Sequence, residues 1–229
     1  MLDVLRCEQK YNINPAVMHY LLGKLNCTLN ADSNNQNGGY IVRSLYFDTP
    51  FDSDYFDKVE GLEIRRKIRL RVYGVEDSVA KLELKEKQDS FQRKRSLILD
   101  RDDAKELIKG NYSVLLKYSE EFAAEIYGRM TQYSYRPKCV VQYYRTAFAE
   151  PVNDTRITFD RNLSASVADF DIFSPNINLY PVGLYGNCTM EVKFNRFLLS
   201  YVKNLVSLAD KTPISCSKYE MARQMFLNE

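Results

Sequence analysis

The chain has 229 residues, of which 45% are apolar and 27% are charged, the usual balance of a globular protein. Its 32 Lys and Arg residues against 30 Asp and Glu residues leave a formal net charge of only +2 at pH 7. This near-neutrality argues against a general nucleic-acid binder or a membrane-surface binder, because both carry a large basic excess. Any strong basic patch must therefore be local and offset by acidic residues elsewhere.

The first half of the chain is predicted to begin with a strand from Val4 to Asn12 and a helix from Pro15 to about Leu25. Asn14 can cap this helix, and a proline suits its first position. A polar loop over 30–39 follows. Further strands, separated by polar turns, are predicted at Tyr40–Phe47, Arg65–Tyr73, Ala80–Lys87 and Phe91–Leu99.

The second half is predicted to hold helices and strands without a clear interdomain linker. Asp102 or Asp103 can cap a helix that ends near Lys109, and Ser119 can cap another. The remaining predicted elements are strands at Lys138–Glu150, Arg156–Leu163 and Thr189–Arg196 and helices at Phe197–Leu208 and Lys218–Phe226. The stretch 164–188 is predicted to be a long loop. A single domain over residues 1–229 is the simpler interpretation.

The five cysteines and the single histidine disfavour several common chemistries. The cysteines are odd in number and lack a C-x-x-C pair, which predicts reduced thiols in an intracellular, cytoplasmic protein. His19 is expected to have a structural or surface role, so zinc, Ser-His-Asp and Cys-His sites are not expected. The sequence begins without a signal-peptide pattern, and no run of about 18 apolar residues predicts a membrane span.

Several predicted strands carry one apolar face and one charged face, because side chains alternate across a strand. The charged faces of the two central strands contain Arg65, Lys67, Arg69 and Arg71, and then Lys81, Glu83, Lys85 and Lys87. On a single strand, such a face is usually solvated. Four like charges on one face are costly, however, unless an anion neutralises them. The repeated pattern, with amphipathic helices to cover the apolar faces, predicts an α+β fold in which a closed antiparallel barrel has a charged lumen.

A basic lumen indicates the kind of molecule that would occupy it. Arg guanidinium groups and Lys ammonium groups match phosphate oxygens, so such a tunnel suits a linear polyanion. The Glu8 and Glu191 carboxylates lie among these basic residues and are hard oxygen ligands of the kind that Mg²⁺ or Mn²⁺ prefers. No P-loop and no G-x-G-x-x-G motif is present, which excludes the glycine-rich phosphate loops.

Eight segments together resemble the VTC domain, the polyphosphate polymerase module of the vacuolar transporter chaperone complex, which belongs with the triphosphate tunnel metalloenzymes. The segments are R-C-E-Q-K-Y (Arg6–Tyr11), R-S-L-Y-F-D-T (Arg43–Thr49), K-I-R-L-R-V-Y-G (Lys67–Gly74), L-E-L-K-E-K (Leu82–Lys87), Y-Y-R-T-A-F (Tyr143–Phe148), R-I-T-F-D (Arg156–Asp160), M-E-V-K-F (Met190–Phe194) and S-K-Y (Ser217–Tyr219). The resemblance covers nearly the whole chain. Arg6 stands where the superfamily signature E-x-E-x-K has its first Glu, which weakens any second set of metal ligands at the N-terminus.

The resemblance implies a closed eight-stranded tunnel, with helices packed outside, that binds triphosphate and Mn²⁺ or Mg²⁺. The phosphate-binding residues expected from it are Lys10, Arg69, Arg71, Lys85, Lys94, Arg145 and Arg156, and Lys193 is added from its place on a charged face. Glu191 is expected to bind the metal, with Glu8 as a second carboxylate, and Lys218 is expected at the transfer site. Arg93 or Arg95 could face inward instead of Lys94.

The activity implied is a metal-dependent polyphosphate polymerase that transfers the γ-phosphate of ATP to a growing polyphosphate chain. A hydrolase acting on tripolyphosphate or a nucleoside triphosphate, and a non-catalytic polyphosphate-binding module, are the alternatives. An adenylate cyclase is disfavoured, since no base-binding feature is recognisable. Neither a nucleic-acid partner nor direct membrane insertion is expected, and a separate membrane partner stays an open question.

Overall fold

The computed structural model of the chain describes residues 6–88, 91–183, 188–207, 214–215 and 217–227. These residues form ten strands. The strands are β1 (Arg6–Ile13), β2 (Asn30–Ala31), β3 (Tyr40–Asp48), β4 (Ile64–Val72), β5 (Val79–Gln88), β6 (Phe91–Asp100), β7 (Arg136–Glu150), β8 (Thr155–Ser166), β9 (Tyr180–Pro181) and β10 (Cys188–Asn195). The α-helices are α1 (Pro15–Asn26), α2 (Ser53–Val59), α3 (Arg101–Ile108), α4 (Glu121–Gln132), α5 (Ser200–Val206) and α6 (Lys218–Leu227).

The strands lie in one sheet in the order β1-β10-β8-β7-β3-β4-β5-β6, with β2 paired to β7 and β9 paired to β8. The ladders β1–β10, β10–β8, β3–β4, β4–β5 and β5–β6 are antiparallel. The α+β class is therefore confirmed. Within the described residues, the strand order ends at β1 and β6 with no ladder between them, so the predicted closed eight-stranded barrel is not confirmed.

The chain divides into two compact units. The first unit comprises Met1–Ile41, Tyr143–Leu163 and Pro181–Ser217. The second comprises Val42–Gln142, Ser164–Tyr180 and Lys218–Glu229. A single domain over 1–229 stays a prediction.

Each unit has its own apolar core, formed by the apolar faces of its strands and the helices that cover them. In the first unit, the core residues include Ile13, Leu21, Leu25, Phe148, Ile157, Phe159, Met190, Val192 and Val202. In the second unit, they include Leu45, Phe47, Ile68, Leu70, Leu82, Leu84, Leu99, Leu107, Ile126 and Met130. Because these residues alternate with charged ones along the strands, burying them directs the charged side chains to the opposite face.

Helix α2 is one element that the sequence patterns do not predict. It is only seven residues long and follows β3 after a short turn. Asp48, at the end of β3, accepts hydrogen bonds from the backbone N–H groups of Asp54 (2.9 Å) and Tyr55 (3.0 Å) in the first turn of the helix. The cap is thus supplied by a carboxylate several residues upstream, outside the positions that capping rules inspect.

Other differences from the predicted elements are small. Asp100 and Glu120, rather than Asp102 or Asp103 and Ser119, are the residues that precede helices α3 and α4. The predicted loop 164–188 begins within β8 and contains β9, while 184–187 lie outside the described residues. Residues 4, 5 and 208, included in predicted elements, also lie outside them.

The segment after β8 is held to the second unit by Arg43. This side chain is buried in β3, where its Nε donates to Gln142 Oε1 at 2.8 Å. Its Nη1 donates to the carbonyl oxygens of Ile172 and Ser174 at 3.0 and 2.6 Å. A single buried guanidinium therefore fixes the backbone of a segment predicted to be a loop.

Two further expectations concern the thiols and the membrane. Cys7, Cys27, Cys139 and Cys188 are free thiols, and Cys216 lies outside the described residues. Across the described parts of the chain, no helix is both long and apolar enough to span a membrane.

Candidate functional site

In the second unit, four neighbouring strands assemble a charged face around Glu83. The ladders among β3, β4, β5 and β6 align its side chains in three rows. The rows are Lys67–Lys85–Lys94, Tyr46–Arg69–Glu83–Ser96 and Ser44–Arg71–Lys81. The predicted residues Arg69, Arg71, Lys85 and Lys94 thus share one face.

Glu83 is the centre of this face and is only 1% exposed. Arg69 Nε donates to Glu83 Oε2 at 2.6 Å, and Arg71 Nη1 lies 3.9 Å from the same oxygen. Lys94 forms an ion pair with Glu83 Oε1. We call Glu83, Arg69, Arg71 and Lys94 the Glu83 cluster. In it, one carboxylate compensates cations from two strands.

The pKa of Glu83 reflects these contacts. Burial alone would raise this pKa, because it disfavours the charged form. The charges of Arg69 and Arg71 outweigh burial and, with the hydrogen bond from Lys94, lower the pKa to about 2. Glu83 is therefore an ionised counter-ion throughout the neutral pH range.

The row Lys67–Lys85–Lys94 aligns three lysines on adjacent strands, and Lys94 also belongs to the Glu83 cluster. Directly opposed like charges destabilise a sheet. An anion bound along the row would add negative charge beside all three lysines. The arrangement is thus suited to a molecule with several negative charges in line.

Three consecutive basic residues of β6 are Arg93, Lys94 and Arg95, and their contacts show which of them lies on the same face of the sheet as Glu83. Arg95 donates to Glu86 at 3.1 Å and to Glu125 of helix α4 at 2.6 Å. Arg93 lies on the same side of the strand as Arg95, because the two residues are two positions apart. Lys94 is therefore the one on the face of Glu83.

Lys218 is the first residue of α6, and its neighbour Tyr219 fixes the start of that helix within the second unit. The buried Tyr219 hydroxyl donates to Asp48 Oδ2 at 2.8 Å. Its ring stacks on Tyr46, with the centroids 4.8 Å apart and the planes 18° from parallel. The Tyr46 hydroxyl accepts a hydrogen bond from Arg69 at 3.3 Å. A continuous set of contacts thus links the residue beside Lys218 to the Glu83 cluster.

In the first unit, a second charged face surrounds Glu191 of β10, which is 6% exposed. Lys193 Nζ lies 2.9 Å from Glu191 Oε1, and Arg145 Nη2 lies 3.8 Å from Oε2. Arg145 also binds Asp160 through two hydrogen bonds, from Nε at 2.7 Å and from Nη2 at 2.8 Å. We call Glu191, Lys193, Arg145 and Asp160 the Glu191 cluster.

The strands that flank β10 extend this face. The ladders align the rows Glu8–Lys193–Arg156 and Lys10–Glu191–Thr158 across β1, β10 and β8. Lys10 Nζ lies 3.0 Å from Glu8, while Lys193 Nζ lies 3.9 Å from it. The predicted residues of this unit, which are Glu8, Lys10, Arg145, Arg156, Glu191 and Lys193, thus come together on neighbouring strands.

Arg156 has its own counter-ion. Its Nη2 lies 2.6 Å from Asp32 Oδ2 and donates to the Tyr40 hydroxyl at 3.2 Å. Burial acts to raise the pKa of Asp32, but hydrogen bonds from Asn34 and the charge of Arg156 bring it below its ordinary value. The guanidinium is therefore held in place by an ionised carboxylate.

Sequence reasoning placed Glu83 on a charged face without giving it a role, and it missed two other carboxylates that hold basic residues. Glu83 holds Arg69, whereas the missed carboxylates are Asp160, which holds Arg145, and Asp32, which holds Arg156. Alternation along the strand could have found Asp160, since it is in phase with Arg156. Asp32 lies in a polar loop far away in the sequence, and no periodic signal links it to β8.

The oxygen atoms around Glu191 are candidate ligands for a divalent metal ion. Among the described residues, no group of three or more His, Cys, Asp and Glu side chains is arranged to hold a metal ion. Mg²⁺ and ions like it are commonly bound through one or two carboxylates plus substrate phosphates, so a single carboxylate such as that of Glu191 would suffice as the anionic ligand from the protein. Next to it, the buried Thr158 Oγ1 has no hydrogen-bond partner in the described part of the chain. The oxygens available thus fit a hard divalent cation bound together with phosphate.

Comparison with models of protein families shows to which family the chain belongs. The model described as the VTC domain matches residues 5–227. The chain belongs to the VTC domain family. The match confirms the resemblance carried by the eight sequence segments. A comparison with curated proteins finds no match.

Solved structures share the fold of this VTC domain at low identity. A candidate adenylyl cyclase from Hippeastrum, described as having a dominant triphosphatase activity, is 15% identical, with a TM-score of 0.57 and 95% of both chains covered. A candidate adenylate cyclase from Bacillus halodurans is 11% identical, with a TM-score of 0.55 and 93% of this chain and 94% of that chain covered. A hypothetical protein from Pyrococcus furiosus is 10% identical, with a TM-score of 0.51 and 94% and 99% covered. These similarities show that the chain shares a common fold with these proteins.

Proposed function

We propose that this VTC domain is a metal-dependent polyphosphate polymerase that transfers the γ-phosphate of ATP to a growing polyphosphate chain. The observation that carries the proposal is the lysine row beside the Glu83 cluster, which offers cations in line to a linear polyanion. Membership of the VTC family supports it. The closed eight-stranded barrel, one domain over 1–229 and a cytoplasmic location belong to the same proposal.

The basic residues bind and orient the two substrates. Arg69 and Arg71 present guanidinium forks that match phosphate oxygens. The other proposed phosphate-binding residues are Lys10, Lys85, Lys94, Arg145, Arg156 and Lys193. Since the arginines are already held by carboxylates or hydroxyl groups, little side-chain freedom is lost when phosphate binds.

Transfer requires no nucleophile from the protein. A terminal oxygen of the polyphosphate chain attacks the γ-phosphorus, and the bond to the β–γ bridging oxygen breaks, so that ADP leaves. The protein contributes position and charge stabilisation. Lys218 is proposed to stabilise negative charge at the transfer site.

Glu191, with Glu8 as a second carboxylate, is proposed to hold Mn²⁺ or Mg²⁺. When bound, such an ion supplies charge neutralisation between phosphate oxygens. Glu191 pairs with Lys193, and Glu8 pairs with Lys10. These ion pairs place ammonium groups beside the proposed metal ligands, where the ammonium groups can contact bound phosphate. ATP and inorganic polyphosphate are the proposed partners.

A triphosphatase is the second candidate function. It is favoured by the structural similarity to the Hippeastrum protein described as having a dominant triphosphatase activity. A hydrolase would use the same cations to hold a triphosphate but would admit water as the nucleophile.

The products distinguish these functions. The purified chain is incubated with ATP and Mn²⁺, and the products are resolved on a gel stained for polyphosphate while orthophosphate is assayed in parallel. Long chains that require the metal support the polymerase. Orthophosphate alone supports the triphosphatase, and binding of polyphosphate without turnover of ATP or tripolyphosphate indicates a non-catalytic module. Glu191→Gln serves as the control for contaminating activity.

A further inference from the structure

The hydroxyl group of Thr158 is a polar group for which the described chain supplies no partner. Thr158 lies in the first half of β8 and is 4% exposed, and its Oγ1 makes no hydrogen bond with any described residue. A buried hydroxyl without a hydrogen bond costs free energy, and folded proteins satisfy most such groups. A ligand beside Thr158 would therefore find an oxygen ready to bind it.

Other buried threonines of the same unit are satisfied by the protein itself. Thr155 Oγ1, on the same strand, donates to the Val152 carbonyl oxygen at 3.0 Å. Thr146 Oγ1 donates to the Gly38 carbonyl oxygen at 2.6 Å. The contrast shows that this fold has local carbonyl partners for buried hydroxyls, and that the Thr158 position lacks one within the described residues.

The β8–β10 ladder places Thr158 directly opposite Glu191. Side chains that face each other across antiparallel strands have Cβ atoms about 4.5–5.5 Å apart on one face of the sheet. Along β8, alternation puts Thr158 in phase with Arg156 and Asp160. The hydroxyl thus belongs to the charged face and lies beside its buried carboxylate.

The charge next to Thr158 indicates which ligand it contacts. A phosphate directly beside Glu191 would meet like charge, and the ammonium and guanidinium groups of the cluster are stronger partners for phosphate. A divalent cation is attracted by the carboxylate and prefers hard oxygen ligands, including neutral hydroxyls. We infer that Thr158 Oγ1 is a neutral oxygen ligand of the metal proposed to bind Glu191. The inference rests on the proposed metal dependence of the site.

The test uses the full chain in three variants and Mn²⁺ as the probe. Thr158→Val keeps the β-branched shape and removes the hydroxyl, whereas Thr158→Ser keeps the hydroxyl. Thr155→Val is the matched control, because it removes a buried hydroxyl that has a protein partner on the same strand. Mn²⁺ affinity and the number of water molecules on bound Mn²⁺ are measured by electron paramagnetic resonance and water-proton relaxation, with and without tripolyphosphate.

The two valine variants should give opposite results. Thr158→Val should keep or raise the melting temperature, lower Mn²⁺ affinity by about tenfold and add one water molecule to the bound ion. Thr158→Ser should retain most of the affinity. Thr155→Val should lower the melting temperature and leave Mn²⁺ binding unchanged.

Three results would overturn the inference, and they differ in what they say of the proposed function. Unchanged affinity and hydration in Thr158→Val, with normal Mn²⁺ binding by the wild type, would remove Thr158 from the site and leave the metal role of Glu191 intact. Weaker binding of tripolyphosphate by Thr158→Val in the absence of metal would also remove Thr158 from the metal site, because the hydroxyl would then contact phosphate. A wild type that binds no Mn²⁺ would overturn both the inference and the metal dependence.

Discussion

The Glu83 cluster and the Glu191 cluster both bury a carboxylate among cations, but the two carboxylates have different surroundings. Glu83 contacts Arg69 at 2.6 Å and Lys94 as a second close cation, with Arg71 at 3.9 Å. Glu191 contacts Lys193 at 2.9 Å and Arg145 at 3.8 Å. In the Glu191 cluster, the arginine is already neutralised by another carboxylate, Asp160.

The hydroxyl groups near the two carboxylates also differ in their hydrogen bonding. In the second unit, the Ser44 hydroxyl accepts a hydrogen bond from Arg71 Nε at 3.0 Å. In the first unit, the Thr158 hydroxyl beside Glu191 has no partner in the residues described. Glu83 is an internal counter-ion that orients cations, whereas Glu191 is proposed to bind an external cation.

The largest expected effect is the loss of turnover in Glu191→Gln. A metal ion contributes several kcal/mol of charge stabilisation, so metal-dependent turnover should fall by about a thousandfold. The fold should survive, because Arg145 keeps Asp160 and Lys193 keeps Glu8 nearby. Steady-state kinetics with Mn²⁺ and thermal unfolding measure the two quantities. A mutant with the wild-type Mn²⁺-dependent rate would refute the metal role of Glu191.

Glu83→Gln should instead mainly lower stability. Removing the carboxylate of a buried ion pair leaves its cations less compensated, here Arg69 and the buried Arg71, and costs about 3 kcal/mol of unfolding free energy at pH 7. Guanidinium chloride unfolding measures this loss. Glu86→Gln is the control on the same strand, since Glu86 contacts Arg95 and Arg129 at a more exposed position and should cost about 1 kcal/mol or less.

The pH dependence of this difference gives a second test. The pKa of Glu83 is about 2 in the folded chain, below that of an unfolded Glu, which is about 4.3. Its contribution is therefore fully present above pH of about 5 and lost as the pH falls through the folded value. The stability difference between wild type and Glu83→Gln should shrink between pH 5 and 2. A constant difference over this range would show that Glu83 is not the counter-ion of the cluster.

The double variant Arg69→Ala, Arg71→Ala tests whether the Glu83 cluster binds phosphate. At 100 times its dissociation constant, tripolyphosphate should stabilise the wild type by about 2.7 kcal/mol and raise its melting temperature more than orthophosphate does. Most of this shift should disappear in the double variant. Arg66→Ala, on the opposite face of β4, is the control and should keep it. The phosphate assignment is wrong if tripolyphosphate shifts the wild type and the double variant equally.

Strand periodicity predicted much of the candidate site because register follows from burial. Once Ile68 and Leu70 are buried, Arg69 and Arg71 must lie on the other face, and the antiparallel ladder brings them to Glu83. The closure of the sheet has no comparable local signal, since it depends on contacts between strands far apart in sequence.

The residues that support the basic strand residues, such as Thr158 and Asp48, were harder to predict from the sequence than the basic residues themselves. A lone Thr158 on a strand is unremarkable until burial and the absence of a described partner are known. The strand pattern assigns no role to Asp48, because its contacts with the start of α2 and with Tyr219 lie outside that pattern. Capping rules and alternation describe near neighbours, whereas these contacts arise only in the folded chain.

The smallest expected effect concerns the link from the Glu83 cluster to Lys218. Tyr219→Phe keeps the ring that stacks on Tyr46 but removes the hydrogen bond to Asp48, which should cost about 1.5 kcal/mol of unfolding free energy because the bond is buried. If this bond positions Lys218, kcat should also fall, by about tenfold, with little change in the KM for ATP.

Tyr135→Phe is a matched control for that variant. Tyr135 is similarly buried in the same unit and donates to another buried carboxylate, that of Asp54, at 3.0 Å. Burial and the charge of Asp48 raise the pKa of Asp54 to about 7, so both variants are compared at pH 8.5, where Asp54 is ionised. Both should lose similar stability, but only Tyr219→Phe should lose kcat, because only Tyr219 adjoins Lys218. Equal losses of kcat in the two variants would mean that the hydrogen bond to Asp48 acts only through general stability. An unchanged kcat in Tyr219→Phe would mean that this bond does not position Lys218.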